Sequence, residues 1–171
     1  AAAAKKEKGP WAIVMDLDET VLDNSGYQRH LEAKGEAYSQ ESWEVWVLKK
    51  EAALVPGAKD FIFKVRALPR SRIIFISNRY ARNTEPSRAN LQKLGIAGDN
   101  DIYLLRKDRA DLKNIRQKEV LQGTGRMKEH GAFKVLAWFG DAAHDMPKDS
   151  NLKWGTHKFM LPNPVYGNWD E

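Results

Sequence analysis

Residues 11–15, WAIVM, form an apolar run with no polar break, the pattern of a strand buried on both faces. The run leads straight into Asp16-Leu17-Asp18-Glu19-Thr20. Three further runs have the same form: RIIFI at 72–76, which ends at Ser77-Asn78-Arg79; Ile102 to Leu105; and KVLAWF at 134–139, which ends at Gly140-Asp141. His157 to Leu161 predicts a fifth strand before a proline-rich tail. Between the strands the period changes. Residues 39–53 predict a helix, capped by Ser39 or Ser42, with Trp43, Trp46 and Val47 at helical spacing. Val55-Pro56-Gly57 punctuates, and Ala58 to Leu68 predicts a second helix with Phe61, Ile62 and Val65 turned inward. Pro86 to Leu94, stopped by Gly95, and Asp111 to Leu121, followed by a break at Gly123 to Gly125, predict two more.

Strands alternating with helices imply an α/β fold built on a mostly parallel, doubly wound sheet. The 171 residues suffice for one domain with a proper core, placed at 10–171. Ala1 to Gly9, AAAAKKEKG, has no structural period and no signal-peptide apolar core, and is expected outside the fold as a disordered or processed tail. In open α/β sheets, ligands bind outside the carboxyl ends of the strands. Asp16, Ser77 and Asp141 each follow an apolar strand, so three distant clusters should converge on one crevice.

That convergence has an electrostatic consequence. Asp16 and Asp18 leave one strand, and Asp141 and Asp145 in GDAAHD leave another. Carboxylates brought this close need a cation, a shared proton or distance. A hard divalent ion answers the need, and Mg²⁺ takes oxygen ligands from one or two carboxylates, water and phosphate. The chain has no cysteine and only 4 histidines, which argues against a zinc site and excludes thiolate chemistry. Phosphoryl transfer also needs donors and a positive charge for the equatorial oxygens. Ser77 with the amides after it, and Lys113 on its long stem, can supply them; Lys107 is the competing lysine.

Composition adds limits. Charged residues make up 30% and hydrophobic residues 42%, as in ordinary globular domains, and no apolar run is long enough to span a bilayer. The net charge of +5 is spread among 23 acidic residues, with no compact basic block, so a nucleic-acid polymer is not the expected partner. A modest positive field still attracts small anionic esters.

The ordered set DLDET, Ser-Asn, a lysine and GDxxxD resembles the four motifs of the haloacid dehalogenase superfamily. More narrowly, DLDETVLDNSGYQ (16–28), SWEVWV (42–47), VPGAKDF (55–61), FISNR (75–79), GD...D (140–145) and LPNPVYGNW (161–169) resemble the class C acid phosphatases, subfamily IIIB, the bacterial lipoprotein type. The resemblance implies a Rossmann-like sheet with a small helical cap, 24–54, between the first and second motifs. It implies an Mg²⁺-dependent phosphomonoester hydrolase working through an aspartyl-phosphate. Asp16 would be the nucleophile and Asp18 the acid and base. Thr20, Ser77, Asn78 and Lys113 would serve the substrate phosphate, with Thr20 orienting its loop. Asp16, Asp18 (through its carbonyl), Asp141 and Asp145 would form the metal site.

The family's cap and its LPNPxYG segment each supply an aromatic ring, and the matching positions here are Trp43 and Tyr166. A base stacked between them would favour nucleoside monophosphates, as in a 5′-nucleotidase. For Trp43 the competing assignment is the apolar face of a core helix, with Trp46 and Val47. The resemblance also implies an extracytoplasmic location, periplasmic, secreted or lipid-anchored, and leaves homo-oligomer formation open. Asp23, Asp108 and Asp149 are expected as caps or turn residues, Arg79 as solvated or touching substrate, and His144 as a surface or supporting residue. Two rival functions share the motifs: a protein phosphatase of the C-terminal-domain type, and a binding module that captures a ligand without turnover.

Overall fold

The computed structural model describes residues 2–163 and Tyr166. In chain order the elements are α1 (Ala2–Lys6), β1 (Trp11–Met15), β2 (Leu22–Asp23), α2 (Ser25–Lys34), α3 (Gln40–Lys49), β3 (Ala53–Leu54), α4 (Ala58–Arg66), β4 (Ser71–Tyr80), α5 (Thr84–Lys93), β5 (Ile102–Arg106), α6 (Lys113–Gln122), β6 (Lys134–Gly140) and β7 (Lys158–Met160).

Five strands form one parallel sheet in the order β5-β4-β1-β6-β7, the α/β fold expected from the alternating pattern. The unbroken apolar runs are explained by two cores, one on each face. Successive side chains of a strand point to opposite faces. Trp11, Ile13 and Met15 of β1 therefore join Ile73, Phe75 and the α4 residues Ala58, Ile62 and Val65. Ala12 and Val14 join Ile74, Ile76, Leu104, Trp138 and Val120 of α6 on the other side. Both faces are dry. Truncating fully buried Phe75 to Ala would cost about 3–5 kcal/mol.

From central β1 the chain winds outward through β4 to β5, then returns to build β6 and β7 on the opposite side. The winding reverses between β1 and β6, and Asp16 and Asp141 follow those two strands. A crevice opens where neighbouring connections leave in opposite directions.

The segment between β1 and α4 is an insert whose ends are clipped together. β2 and β3 pair antiparallel, Leu22 to Leu54 and Asp23 to Ala53. Two antiparallel residue pairs carry no periodicity, so the ribbon had no sequence signal. Helix α2 lies within the expected helical cap but leaves no periodic signal of its own, because only Tyr27 and Leu31 are buried along it and the apolar stripe is narrow. Helix α3 matches the expected element but stops at Lys49, with Lys50 in the left-handed region at φ 56°. Ser39 is its cap and Ser42 completes the box from the third helical position.

The first residues depart from expectation. Residues 2–6, placed outside the fold by their lack of period, form a short helix, and Ala4 is buried in the core with Trp11. Glu7 pairs with Lys134 at 2.7 Å and accepts a hydrogen bond from Arg70 through its carbonyl. An alanine helix fits closely against a core because it has little to exclude, and that docking depends on distant residues.

Candidate active site

The site is assembled at the reversal between β1 and β6. The Asp16 amide donates to the Phe139 carbonyl at 2.9 Å, which ties the first loop to the end of β6. Beyond β6 the chain must fold back sharply for Asp145 to reach its own loop. Gly140 permits this, since a Cβ there would lie 2.2 Å from the Asp145 Cβ. Asp145 then accepts from the Asp141 and Ala142 amides at 3.1 and 3.0 Å. That close approach explains the glycine in the GD motif.

Asp16, Asp141 and Asp145 each bring a carboxylate oxygen within 4.8 Å of the others. Lys113, first residue of α6, lies buried against them, with Nζ 2.7 Å from Asp16 and also bonded to Asp145. Three carboxylates face one ammonium, which leaves a formal charge near −2 in a place shielded from water. Burial pushes the Asp16 carboxyl well above its usual range, opposed by Lys113 and reinforced by the neighbouring aspartates. Burial raises Asp141 as well, opposed by the hydrogen bond from Asn163 at 2.8 Å. For Lys113, burial works against the charge but Asp16 and Asp145 outweigh it and raise its pKa. A divalent cation offsets this imbalance, and the oxygen-only donor set suits a hard ion.

Asp18 lies apart from the triad and is held differently. Arg79 grips it as a fork, Nη2 at 2.7 Å and Nε at 3.1 Å from each oxygen, while Asn24 donates at 2.9 Å. Arg79 is itself buried, bonded to Ser87 and set 5.5 Å from the Trp43 ring centre. The solvated alternative for Arg79 is therefore replaced by a buried ion pair. Its position after Ser77-Asn78 at the end of β4 was the available signal.

A cavity of about 410 Å³ opens onto Asp16, Asp18, Lys113 and Asp141. Gln28, Tyr38, Gln40 and Trp43 from the insert, together with Asn78, Arg79, Arg106, His144 and Tyr166, complete its wall. Of the expected phosphate ligands, Asn78 and Lys113 reach this wall. Thr20 and Ser77 are buried and do not line it. The Ser77 hydroxyl accepts from the Arg79 amide at 3.1 Å, and the Thr20 hydroxyl has no partner among the described residues. Lys107 is exposed and contributes its amide to Asp111, so the geometry selects Lys113. Asn78 is fixed by Arg116 at 2.8 Å and faces exposed His144 at 3.3 Å.

Trp43 lines the cavity, whereas Val47 takes the buried position on α3 and Trp46 donates to Asn24 at 2.9 Å. Tyr166 lines the same cavity and donates to Glu19. Burial pushes the Glu19 carboxyl up to about 7, opposed by the bonds from Tyr166 and Asn24. The remaining residues of the final motif, Pro164, Val165 and 167–169, lie outside the described residues.

A parallel sheet with an acidic triad and a lysine at its winding reversal matches the arrangement expected of the haloacid dehalogenase type. The comparisons place it more narrowly. The chain matches the model of haloacid dehalogenase subfamily IIIB, the acid phosphatases, over residues 1–169, and it belongs to that family. The class C acid phosphatase of Bacillus anthracis has a similar structure, with 31% identity and a TM-score of 0.81 over 98% of this chain and 72% of that one. The same enzyme with tungstate bound is equally similar, at 30% identity and TM-score 0.81, over 98% of this chain and 73% of that one. The stem 31 kDa glycoprotein of Glycine max is 24% identical over 159 residues, 90% of this chain and 58% of the relative. The chain thus spans little more than half the length of that curated relative. A Pnkp1/Rnl/Hen1 complex shares the fold alone, at 20% identity and TM-score 0.61 over 95% of this chain and 48% of that one. No helix among the described residues is long and apolar enough to cross a membrane.

Proposed function

We propose that this chain is an Mg²⁺-dependent phosphomonoesterase that acts on small phosphate esters, nucleoside 5′-monophosphates foremost. One observation carries the reading: Asp16, Asp141 and Asp145 converge with buried Lys113 on the floor of a walled cavity.

Asp16 attacks phosphorus and forms an aspartyl-phosphate, which divides one hard displacement into two easier ones. Lys113 offsets charge on the transferring oxygens, and Asn78, locked by Arg116, donates to them. Asp18 gives its proton to the leaving oxygen and then takes one from the hydrolytic water, its carboxyl aimed by Arg79 and Asn24. Asp16, Asp141 and Asp145, with the Asp18 carbonyl, would hold Mg²⁺, which supplies charge neutralisation at the phosphoryl group. Thr20 and Ser77 support the phosphate loop from behind rather than touching substrate. Tungstate, bound by the similar Bacillus anthracis enzyme, is a tetrahedral oxyanion like phosphate, which supports an oxyanion site here.

The insert, 24–54, acts as a cap. Its Trp43 and Tyr166, both on the cavity wall, would stack a base, and the 410 Å³ cavity exceeds what a phosphate alone needs. A walled pocket of this kind favours a small ester over a folded protein substrate. The family supports an extracytoplasmic location.

The test is phosphate release from AMP and p-nitrophenyl phosphate, with and without Mg²⁺, by wild type and Asp16→Asn. The expected result is Mg²⁺-dependent turnover that falls by about 10⁴-fold or more in the variant. Turnover unchanged by Asp16→Asn ends the covalent mechanism.

A further inference from the structure

We infer that the cavity contains a second anion-binding position, built on Arg106, which takes a second phosphate or a carboxylate on the substrate; the inference rests on the phosphomonoesterase reading above.

The cations lining the cavity are not equivalent. Lys113 is engaged by Asp16 and Asp145, and Arg79 by Asp18. Arg106 lines the same cavity, is half-buried, and has no carboxylate within ion-pair distance among the described residues. Its Nε is buried and has no hydrogen-bond partner among them. Nearby Arg82 provides a control. Both guanidinium groups lie over the Tyr80 ring, at 4.5 and 4.4 Å from its centre. Arg82 is exposed, off the cavity wall, and already paired with Glu44. The fold spends a carboxylate on the outer arginine and none on the one facing the cavity.

Stacking on Tyr80 restrains the guanidinium, and a restrained fork of N–H groups suits a group that presents two oxygens, a phosphate or a carboxylate. The position also fits a bridging substrate. Arg106 closes β5, two strands from β1, in register with Tyr80 beyond Ser77-Asn78-Arg79, so it is offset from the nucleophile both across the sheet and along it. Tyr38, Gln40 and Trp43 wall the space between the two ends. A nucleoside bisphosphate, with one phosphate at Asp16 and the other at Arg106, has the right chemistry.

The experiment measures binding without turnover. In an Asp16→Asn background with Mg²⁺, calorimetry compares AMP with adenosine 3′,5′-bisphosphate, and phenyl phosphate with 4-carboxyphenyl phosphate. At least one doubly anionic ligand should bind about tenfold more tightly than its partner, and adding Arg106→Gln should erase that gap while leaving AMP and phenyl phosphate within about threefold. The pair that shows the gap identifies the preferred second anion. A gap absent from the Asp16→Asn protein, or one that survives Arg106→Gln, overturns the inference. If Arg106→Gln does not fold, Arg106→Met replaces it, and an undiminished gap there overturns it equally. Wild type that releases no phosphate from any of the four, with the gap intact, removes the phosphatase reading and leaves the Arg106 position standing.

Discussion

Two ionic clusters, one buried and one partly buried, share helix α6, and they differ in charge balance. Lys113, Arg116, Gln117 and Val120 form its buried stripe, at the i, i+3, i+4, i+7 spacing of one helical face. At the first turn, Lys113 meets Asp16 and Asp145, with Asp141 alongside: three carboxylates and one cation. A turn later, Arg116 lies 3.6 Å from Asp111, Arg126 grips Asp111 at 2.7 and 3.0 Å, and Glu119 holds Arg126 at 2.6 Å. That second cluster has two carboxylates and two guanidinium groups. It is balanced.

The balanced cluster works as an anchor. Arg116, fully buried, donates to the carbonyls of Ser77, Leu104 and Asp111 and to the Asn78 side chain, so it fixes the end of β4 from below. Burial lowers Arg116 to about 10, which still leaves it charged at neutral pH. The unbalanced cluster is unfavourable as it stands, and a cation relieves it. Charge balance, more than burial, separates an ionic group that supports the fold from one reserved for a ligand.

The contrast breaks most visibly at Asp141. Asp141→Asn should cost about 10²- to 10³-fold in kcat/KM for phosphate esters. It should also abolish the Mg²⁺-dependent rise in Tm expected of wild type, a rise worth about 2.7 kcal/mol at a hundredfold excess over Kd. In chelator the same variant should melt no lower than wild type, because the raised Asp141 pKa means its ionised form opposes folding. Scanning calorimetry of both proteins, with Mg²⁺ and in chelator, reads these states; a variant Tm below that of wild type in chelator would count against the imbalance.

Asp111→Asn should do the reverse. It strands Arg126 and weakens Arg116, at a cost of about 2–3 kcal/mol and roughly 5–10 °C in Tm, since one cation is partly solvated. Activity per folded molecule should stay within about threefold, and the Mg²⁺-dependent Tm rise should persist. Urea unfolding beside a phosphatase assay checks both.

Acid sharpens the same difference. Burial works against ionised Asp111, but the Arg126 fork and the Lys107 amide outweigh it and hold its carboxyl below the usual range. Its contribution is therefore complete above the unfolded pKa and is lost as pH falls through the lower folded value. The stability gap between wild type and Asp111→Asn should be full at pH 7 and shrink below about pH 4. A gap that widens in acid would contradict the ion pair.

The smallest effect lies in the cavity wall, away from both clusters. Trp43→Ala should lower kcat/KM for AMP and nicotinamide mononucleotide by about tenfold relative to p-nitrophenyl phosphate, and leave the Mg²⁺ dependence alone. Equal loss on all three would remove base stacking.

Much of this architecture was legible beforehand because it is written locally. WAIVM is apolar throughout, and RIIFI and KVLAWF are apolar after a charged first residue, the pattern of a strand covered on both faces, and polar residues follow closely on each. DLDET and GDAAHD put carboxylates within a few residues of one another, so their repulsion, and hence a cation, follows from spacing. Elements held by distant partners were not legible. Helix α1 exists because Ala4 finds the core, α2 has a two-residue stripe, and β2 pairs with β3 across the whole insert.

The sequence by itself determined the succession of strands and motifs along the chain and the excess of acid at two strand ends, since period and spacing are properties of neighbours. Only the tertiary structure decided that Lys113 rather than Lys107 reaches Asp16, 97 residues away, that Arg79 is committed to Asp18, and that Arg106 faces the cavity unpaired among the described residues. Ion pairing depends on distances of a few ångströms between segments far apart in the chain, and those distances exist only once the sheet has folded.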